Sequence, residues 1–554
     1  MPDRTPLPTS HPPEQLFPKL TPAQVERVRS RGRARPVGPG EVLLEAGDPT
    51  TRMFVVTAGQ VDVVRLKDDL EQLVAVFRAG QFSGEMNILS GRRGMARIRA
   101  NEAGEVIEVD RESLLALVQT DAELSEILMR AFILRRMELV AQGIGDVVLI
   151  GSAHSAGTLR AKEFLTRNGY PHTYIDLDRD ADVQELLDRF HVGVADVPVL
   201  ICLGKAVLKN PTNWQIAECL GFNEAIEQTH VRDIVIVGAG PAGLAAAVYG
   251  ASEGLDVLVL ESSAPGGQAG SSSRIENYLG FPTGISGQDL AGKAYAQAQK
   301  FGAQVMIAQG ATSLACLRRP YAVQIDNGPR VPARAVIIAT GAQYRKLSVD
   351  NASQFDGAGV YYGATFIESQ LCKGEEIIVV GGGNSAGQAA VFLAATAKQV
   401  HMLVRADGLA ESMSRYLIRR IERSPNIVLR TRTEIVALEG NGALERVSFR
   451  HPEGLETRDI RHVFAMTGAI PSTAWLDGCV ALDARGFIKT GPDLSKDDLA
   501  AAQWPLARPP HLLETSLPGV FAVGDVRGGN MKRVASAVGE GSTAIAFVHK
   551  VLAE

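Results

Sequence analysis

The chain has 554 residues, of which 45% are hydrophobic and 21% charged, with a formal net charge of -5. That length exceeds one hydrophobic core and calls for several domains, and the composition is globular, which excludes extended disorder. There is no dense Lys/Arg stripe and no apolar run of the roughly 18–20 residues that span a bilayer, so neither a nucleic-acid partner nor a membrane is expected. The opening MPDRTPLPTSHPPEQLFPKL is Pro-rich and polar and lacks the apolar centre of a signal peptide, so residues 1–20 are expected as a disordered lead-in to a cytoplasmic protein. Five cysteines, Cys202, Cys219, Cys316, Cys372 and Cys479, are scattered without any C-x-x-C spacing. Neither a zinc site nor a local redox pair is expected from them, and no metal site is assigned.

Short alternating strands punctuated by glycine run from about residue 38 to 110: EVLLEAGD, MFVVTAG, QVDVVRL, QLVAVFRAG, ARIRANEAG and EVIEVD. Helical periodicity follows over 111–141, with Leu114, Leu117, Leu124, Leu128 and Phe132 on one face. With Gly40–Glu41, Gly47–Asp48, Phe54, Gly59 and FSGEMNIL at 82–89, residues 21–141 resemble a cyclic nucleotide-binding domain, a β-barrel with a long helix. The resemblance implies that Glu85, after Gly84, takes the ribose hydroxyl and that an Arg about ten residues on pairs with the cyclic phosphate. Here that position reads Gly94–Met95–Ala96, with Arg92 and Arg93 ahead of it. A buried phosphate needs a charge partner. A cyclic nucleotide is therefore expected to bind weakly or not at all, with Arg93 the substitute if its loop turns inward.

Residues 146–225 read as strand DVVLIG, a helix over 156–169, strand YPHTYIDLD, helix DVQELLDRF and strand DVPVLICLGK. That order resembles a glutaredoxin or thioredoxin-like fold, which implies that Pro198 is its cis-proline. Where the family's C-P-Y-C stands, this chain has Ser155–Ala156–Gly157–Thr158. Hydroxyls cannot form a disulfide, so the expected role is docking or spacing.

From residue 232, RDIVIVGAGPAGLAAAVYGASEGLDVLVLES sets Gly238-x-Gly240-x-x-Gly243 between a strand and a helix, with Glu261 ending the next strand. That setting is the dinucleotide fingerprint: glycines for close backbone approach, pyrophosphate at the helix N-terminus, and an acid for the ribose. EEIIVVGGGNSAGQAAVFLAATAKQVHMLVR repeats it with Gly381-x-Gly383-x-x-Ala386, and its second strand ends in Arg405. Arginine there suits a 2′-phosphate, so the first fold reads as the FAD site and the second as the NADPH site.

With Gly266–Gly267–Gln268, IENYLGFP at 275–282, Ala339–Thr340–Gly341, TSLPGVFAVGDVRGG ending at 529 and KRVASAVGEGSTAI at 532–545, residues 230–554 resemble the low-molecular-weight thioredoxin reductase family. The resemblance implies an α/β fold with two Rossmann-like domains: a discontinuous FAD domain, 230–346 and 475–554, and an NADPH domain inserted at 347–474. It implies that Gly267, Gln268, Asn277, Thr340, Gly341, Gly524, Asp525, Arg533, Val534 and Ala535 lie at the flavin or its chain, and that the protein is a homodimer.

The family's C-A-T-C falls here on Gly363–Ala364–Thr365–Phe366, and Cys372 lies six residues beyond, read as a structural thiol. The family's H-R-R-x-x-x-R keeps one Arg, Arg405, while Arg415, Arg419 and Arg420 are either a second phosphate partner or a solvated helix face. No catalytic side chain is assigned. The leading expectation is an NADPH oxidoreductase that passes electrons through FAD to a small molecule or redox protein without the family's dithiol. Disulfide reduction by a non-standard route and a regulatory flavoprotein responsive to redox state or cyclic nucleotide remain as alternatives.

Overall fold

The computed structural model describes residues 12–67, 70–141, 147–152, 155–177, 196–202, 206–272, 274–476 and 478–554. Its first unit packs a three-stranded sheet (Arg33–Val37, Gly104–Asp110, Arg52–Ala58) against a four-stranded one (Val42–Leu44, Arg97–Ala100, Gln60–Lys67, Leu70–Arg78). Alternation along Arg52–Ala58 serves two cores, because successive side chains leave opposite faces of a strand. Phe54 and Val56 fill the barrel with Val61, Phe77 and Ile98, while Met53 and Val55 face Leu114, Leu117 and Phe132 of the helices.

Three expectations for this unit are corrected. The helix expected over 111–141 is two helices, Arg111–Thr120 and Ala122–Ala141. Asp121 is extended, with ψ 101°, and its carboxylate accepts from the Leu124 amide at 3.0 Å, the local alternative that makes Asp a helix start. The strand Arg33–Val37, masked in sequence by its charges, pairs antiparallel with Gly104–Asp110. Within the expected lead-in, Pro13–Leu16 form a helical turn with Leu16 and Leu20 buried, so residues 13–20 are packed into the unit.

The middle segment forms a four-stranded sheet in the order Ala206–Lys209, Val199–Cys202, Val147–Gly151, Thr173–Asp176. The last two strands are parallel and the other pairings antiparallel. Helix Ala156–Arg167 follows the Val147–Gly151 strand, and the Val197–Pro198 peptide is cis. The helix expected at 182–190 lies outside the described residues. Strand Ala206–Lys209 and helix Asn213–Leu220, capped by Thr212, were not foreseen.

The third unit is a seven-stranded sheet, Gln304–Ile307, Val257–Glu261, Arg232–Val237, Arg330–Ile338, Tyr321–Ile325 and Ala311–Ala315 in order, with Val520–Ala522 pairing parallel to Arg330–Ile338. Strands Arg232–Val237 and Val257–Glu261 are buried on both faces, as parallel strands under helices must be. Between Arg330–Ile338 and Val520–Ala522 the chain builds a second parallel sheet: Val360–Tyr361, Val463–Ala465, Glu376–Val380, Gln399–Leu403 and Ile427–Arg430. The two crossings, Ala342–Tyr344 and Ala469–Pro471, pair antiparallel as a two-stranded bridge. The inserted second fold and discontinuous first fold are thus visible in the strand pairing itself.

Candidate functional site

In the first cradle the three glycines do different work. Gly238 sits at φ +106°, and a Cβ there would stand 2.4 Å from the Ala339 carbonyl oxygen. At Gly243 a Cβ would stand 1.8 Å from the Gly238 carbonyl oxygen, so this glycine lets the helix pack against the turn. Gly240, the N-cap of helix Pro241–Ser252, has nothing nearer to its missing Cβ than the Gly267 Cα at 4.0 Å. That open space at a helix N-terminus is where a pyrophosphate fits.

Glu261 closes the cradle from the end of strand Val257–Glu261. Its carboxylate accepts from the Ala239 amide at 2.8 Å and the Ser263 amide at 2.9 Å, and burial holds its pKa above the ordinary value. Gln268 donates to the Ala342 carbonyl, tying the Gly266–Gly267 turn to the Thr340–Gly341 crossing, where the Thr340 hydroxyl donates to the Ser472 carbonyl at 2.9 Å. Asp525 follows Gly524 beside the N-terminus of helix Val534–Ala553, whose N-cap is Arg533, and burial raises its pKa. The Gly524 amide donates to Glu540 at 2.7 Å. Val534 and Ala535 form the first turn of that helix. Asn277 is exposed, on the loop that carries the exposed Leu279. The structure therefore brings every first-fold candidate except Asn277 around the Gly238–Gly243 turn, the crossing strands and the N-terminus of the last helix.

The second cradle repeats the turn: Gly381 is at φ +136°, and a Cβ there would stand 2.4 Å from the Met466 carbonyl oxygen. Gly383 caps helix Asn384–Leu393 with empty space where its Cβ would be, and Ala386 is fully buried against Gly381. Arg405 extends from the end of Gln399–Leu403 as an exposed side chain. Of the other arginine candidates, Arg420 forms an ion pair at 2.6 Å with Glu276 of the first fold, bridging the two folds.

Residues 232–541 match the pyridine nucleotide-disulphide oxidoreductase family, 310 of the 554 positions. The chain belongs to that family. Residues 34–121 match the cyclic nucleotide-binding domain family. The thioredoxin reductase of Bacillus subtilis is 31% identical over 331 residues, 59% of this chain and 97% of that protein. The NADPH-dependent thioredoxin reductase 3 of Arabidopsis thaliana is 32% identical over 331 residues, and this chain spans only 58% of its length. The solved thioredoxin reductase of T. acidophilum superposes with a TM-score of 0.52 at 29% identity, covering 59% of this chain and all of that one. FAD and NADPH are the cofactors of this thioredoxin reductase-like group, and the two cradles fit them: each leaves a helix N-terminus open at its second glycine.

Within this oxidoreductase, the stretch Gly363–Ala364–Thr365–Phe366 contains no cysteine. Gly363 faces open space, and Phe366 starts helix Phe366–Leu371. Cys372 is fully buried, and burial pushes its thiol up to about 11.

Two cysteine pairs that no local spacing signals are brought together by the fold. Cys316 and Cys479 form a disulfide between the two pieces of the first fold, 163 residues apart. Cys202 hydrogen-bonds Cys219 across strand Val199–Cys202 and helix Asn213–Leu220; that bond and the nearby Arg93 guanidinium lower the Cys219 thiol, while burial opposes them.

Arg92 and Arg93 do not turn into the barrel. Arg92 donates to the Tyr295 hydroxyl at 2.8 Å and lies 4.4 Å over Phe222, and Arg93 packs on Gly221. The middle segment also reaches the first cradle: Arg167 donates to the Gly267 carbonyl at 2.8 Å, Gln288 to the Thr166 carbonyl at 2.7 Å. No sequence signal marked Arg167, because its role exists only once the two units are packed.

Proposed function

We propose that the protein is an NADPH-oxidising flavoenzyme that delivers electrons from FAD to a small acceptor, such as a quinone, dye or oxygen, or to a redox protein, without the C-x-x-C relay. The observation that carries this reading is the pairing of two open dinucleotide cradles with Gly363 and Phe366 at the dithiol positions, while the next cysteine along, Cys372, is sealed in the core and held as a thiol. NADPH would supply hydride to the flavin, which can return electrons singly or in pairs. Gly238, Gly240, Gly243, Glu261, Gly267, Gln268, Asn277, Thr340, Gly341, Gly524, Asp525, Arg533, Val534 and Ala535 are assigned to FAD, and Gly381, Gly383, Ala386 and Arg405 to NADPH. The middle segment, read as a glutaredoxin-like module over 146–225, acts as a docking piece. Support comes from Ser155 and Thr158 at its thiol positions and from the contacts of Thr166 and Arg167 with the first fold. A cytoplasmic homodimer completes the proposal, on the resemblance and composition alone.

One observation favours a second reading. The Cys202–Cys219 pair supplies two thiols in contact, one with its pKa lowered, as a dithiol relay requires. Stopped-flow reduction by NADPH followed by a panel of acceptors separates the two. The first reading expects dye or oxygen turnover and negligible thioredoxin-coupled disulfide reduction. Disulfide turnover abolished by Cys219→Ser would establish the second and overturn the first.

A further inference from the structure

Inside the N-terminal barrel lies a cavity of about 120 Å³. Most of its wall is apolar: Phe17, Leu44, Val63, Ala75, Phe77 and Ile98. Among the described residues, two polar atoms in that wall are buried and without a partner, Thr50 Oγ1 and Arg135 Nη2, while Glu85 Oε2 is paired only loosely, with Arg136 Nη1 at 3.7 Å. Such atoms are rare in folded proteins and each needs an explanation. Arg135, 6% exposed, is held rigidly: Nε donates to the Leu16 carbonyl at 2.8 Å and Nη1 to the Gly84 carbonyl at 2.7 Å, with the rings of Phe82, Phe77 and Phe17 within 5.4 Å of its guanidinium carbon. That fixes the remaining Nη2 as a donor with nowhere to go. Burial draws the guanidinium down to about 9, Glu85 only opposing in part. Burial also pushes the Glu85 carboxyl up, against the opposing charges of Arg136, Arg92 and Arg135.

A cyclic nucleotide does not suit this space. The two arginines that follow the Gly84–Glu85 segment are turned outward, onto Tyr295, Phe222 and Gly221. The volume is below the ~150 Å³ apolar cavity that holds one benzene, so base, ribose and phosphate together exceed it.

From these contacts we infer that the barrel is a binding site for a short-chain alkyl monocarboxylate, smaller in bulk than one aromatic ring, with its carboxylate on Arg135 and its body against Phe77, Val63 and Ile98. A carboxylate accepts from Arg135 Nη2 and from the Thr50 hydroxyl, which satisfies both stranded atoms, one with a charge-assisted bond. The apolar walls then take the rest of the ligand.

The probes are propionate, 1-propanol (the same chain without the charge) and cyclic AMP, titrated calorimetrically into the full-length flavoprotein. Propionate should bind at one per chain and raise the melting temperature, 1-propanol should bind about tenfold or more weakly, and cyclic AMP should give no heat. Arg135→Gln should remove the preference for propionate over 1-propanol. Because Arg135 also braces the barrel, Ala75→Leu provides the independent variant: it fills the cavity, keeps the charge, and should abolish propionate binding with flavin content and dye turnover unchanged. No propionate binding, propionate binding unaffected by Ala75→Leu, or cyclic AMP binding more tightly than propionate would each overturn the inference.

Discussion

The two dinucleotide folds follow one plan, strand, glycine turn and helix, yet they close it differently. In the first, the acid at the end of the second strand is buried and both its oxygens are engaged by backbone amides, and a distant segment of chain packs on the helix, where a Cβ on Gly524 would stand 3.1 Å from the Ala242 Cβ. In the second, the equivalent strand ends in an exposed Arg405, and the cradle lies beside solvent. A preorganised, enclosed cradle suits a cofactor that stays through many turnovers, and an open one with a single charged anchor suits a dinucleotide that must leave each cycle. The comparison also separates what glycine does at each position. Gly238, Gly243 and Gly381 are required by the protein's own atoms, whereas no protein atom would crowd a Cβ at Gly240 or Gly383.

The largest expected effect follows from that separation. Gly240→Val puts a branched side chain where no protein atom objects, so the chain should fold with wild-type circular dichroism yet purify colourless and stay so after FAD reconstitution. A yellow Gly240→Val protein would mean that the pyrophosphate does not approach this helix. Gly243→Ala should instead fail at the level of the turn, since its Cβ collides with the Gly238 carbonyl.

Next comes Arg405. A charge-assisted bond to a 2′-phosphate is worth about 1.5–3 kcal/mol, roughly tenfold to a hundredfold in affinity. Flavin reduction should favour NADPH over NADH by that margin, measured as kcat/KM, and Arg405→Glu should cancel or reverse the preference. Equal use of the two by the wild type would show that Arg405 is not the anchor.

How far these sites were legible in the sequence depends on how local their determinants are. Both glycine turns and their strand ends are written in about 30 contiguous residues, and the structure places them as read. The insertion of one fold in the other came only from a resemblance, since nothing local says that Val520–Ala522 joins Arg330–Ile338. What failed depended on packing between distant segments. Arg92 and Arg93 were weighed as phosphate partners, but the aromatic faces of Phe222 and Tyr295 that hold Arg92 arrive from 130 and 203 positions away. The break at Asp121 was missed because apolar periodicity runs through it, while a capping carboxylate interrupts the backbone at one residue.

The cysteines give a smaller, thermodynamic test. Cys316–Cys479 joins the two pieces of the first fold, which the inserted fold separates in sequence. Cross-links that close long loops typically stabilise by about 2–4 kcal/mol, mainly by restricting the unfolded chain. Cys316→Ser should therefore lower the unfolding free energy of the oxidised protein by that order, read from denaturant titration, and leave NADPH-driven flavin reduction close to wild type. Cys372→Ser should change flavin reduction little. A loss of disulfide-substrate turnover in Cys372→Ser alone would make that thiol catalytic after all.

The smallest effect is expected at Arg420, and it sharpens the contrast with Arg405. Both arginines belong to the second fold and both were candidates for the 2′-phosphate. Arg420 is instead committed to Glu276 at 2.6 Å, with side chains 47% and 32% exposed, so the pair is screened by water and worth about 0.2–1 kcal/mol at most. Arg420→Ala should move the melting temperature only slightly, and the loss should shrink further in high salt as the pair is screened in the wild type too. The decisive measurement is the NADPH/NADH ratio of kcat/KM. A bridge between the folds acts equally on both nucleotides, so Arg420→Ala should leave the ratio unchanged even if both values shift together. If the ratio falls about tenfold, as expected for Arg405→Glu, Arg420 must leave Glu276 to meet the 2′-phosphate, and the second cradle would then hold its nucleotide with two arginines instead of one.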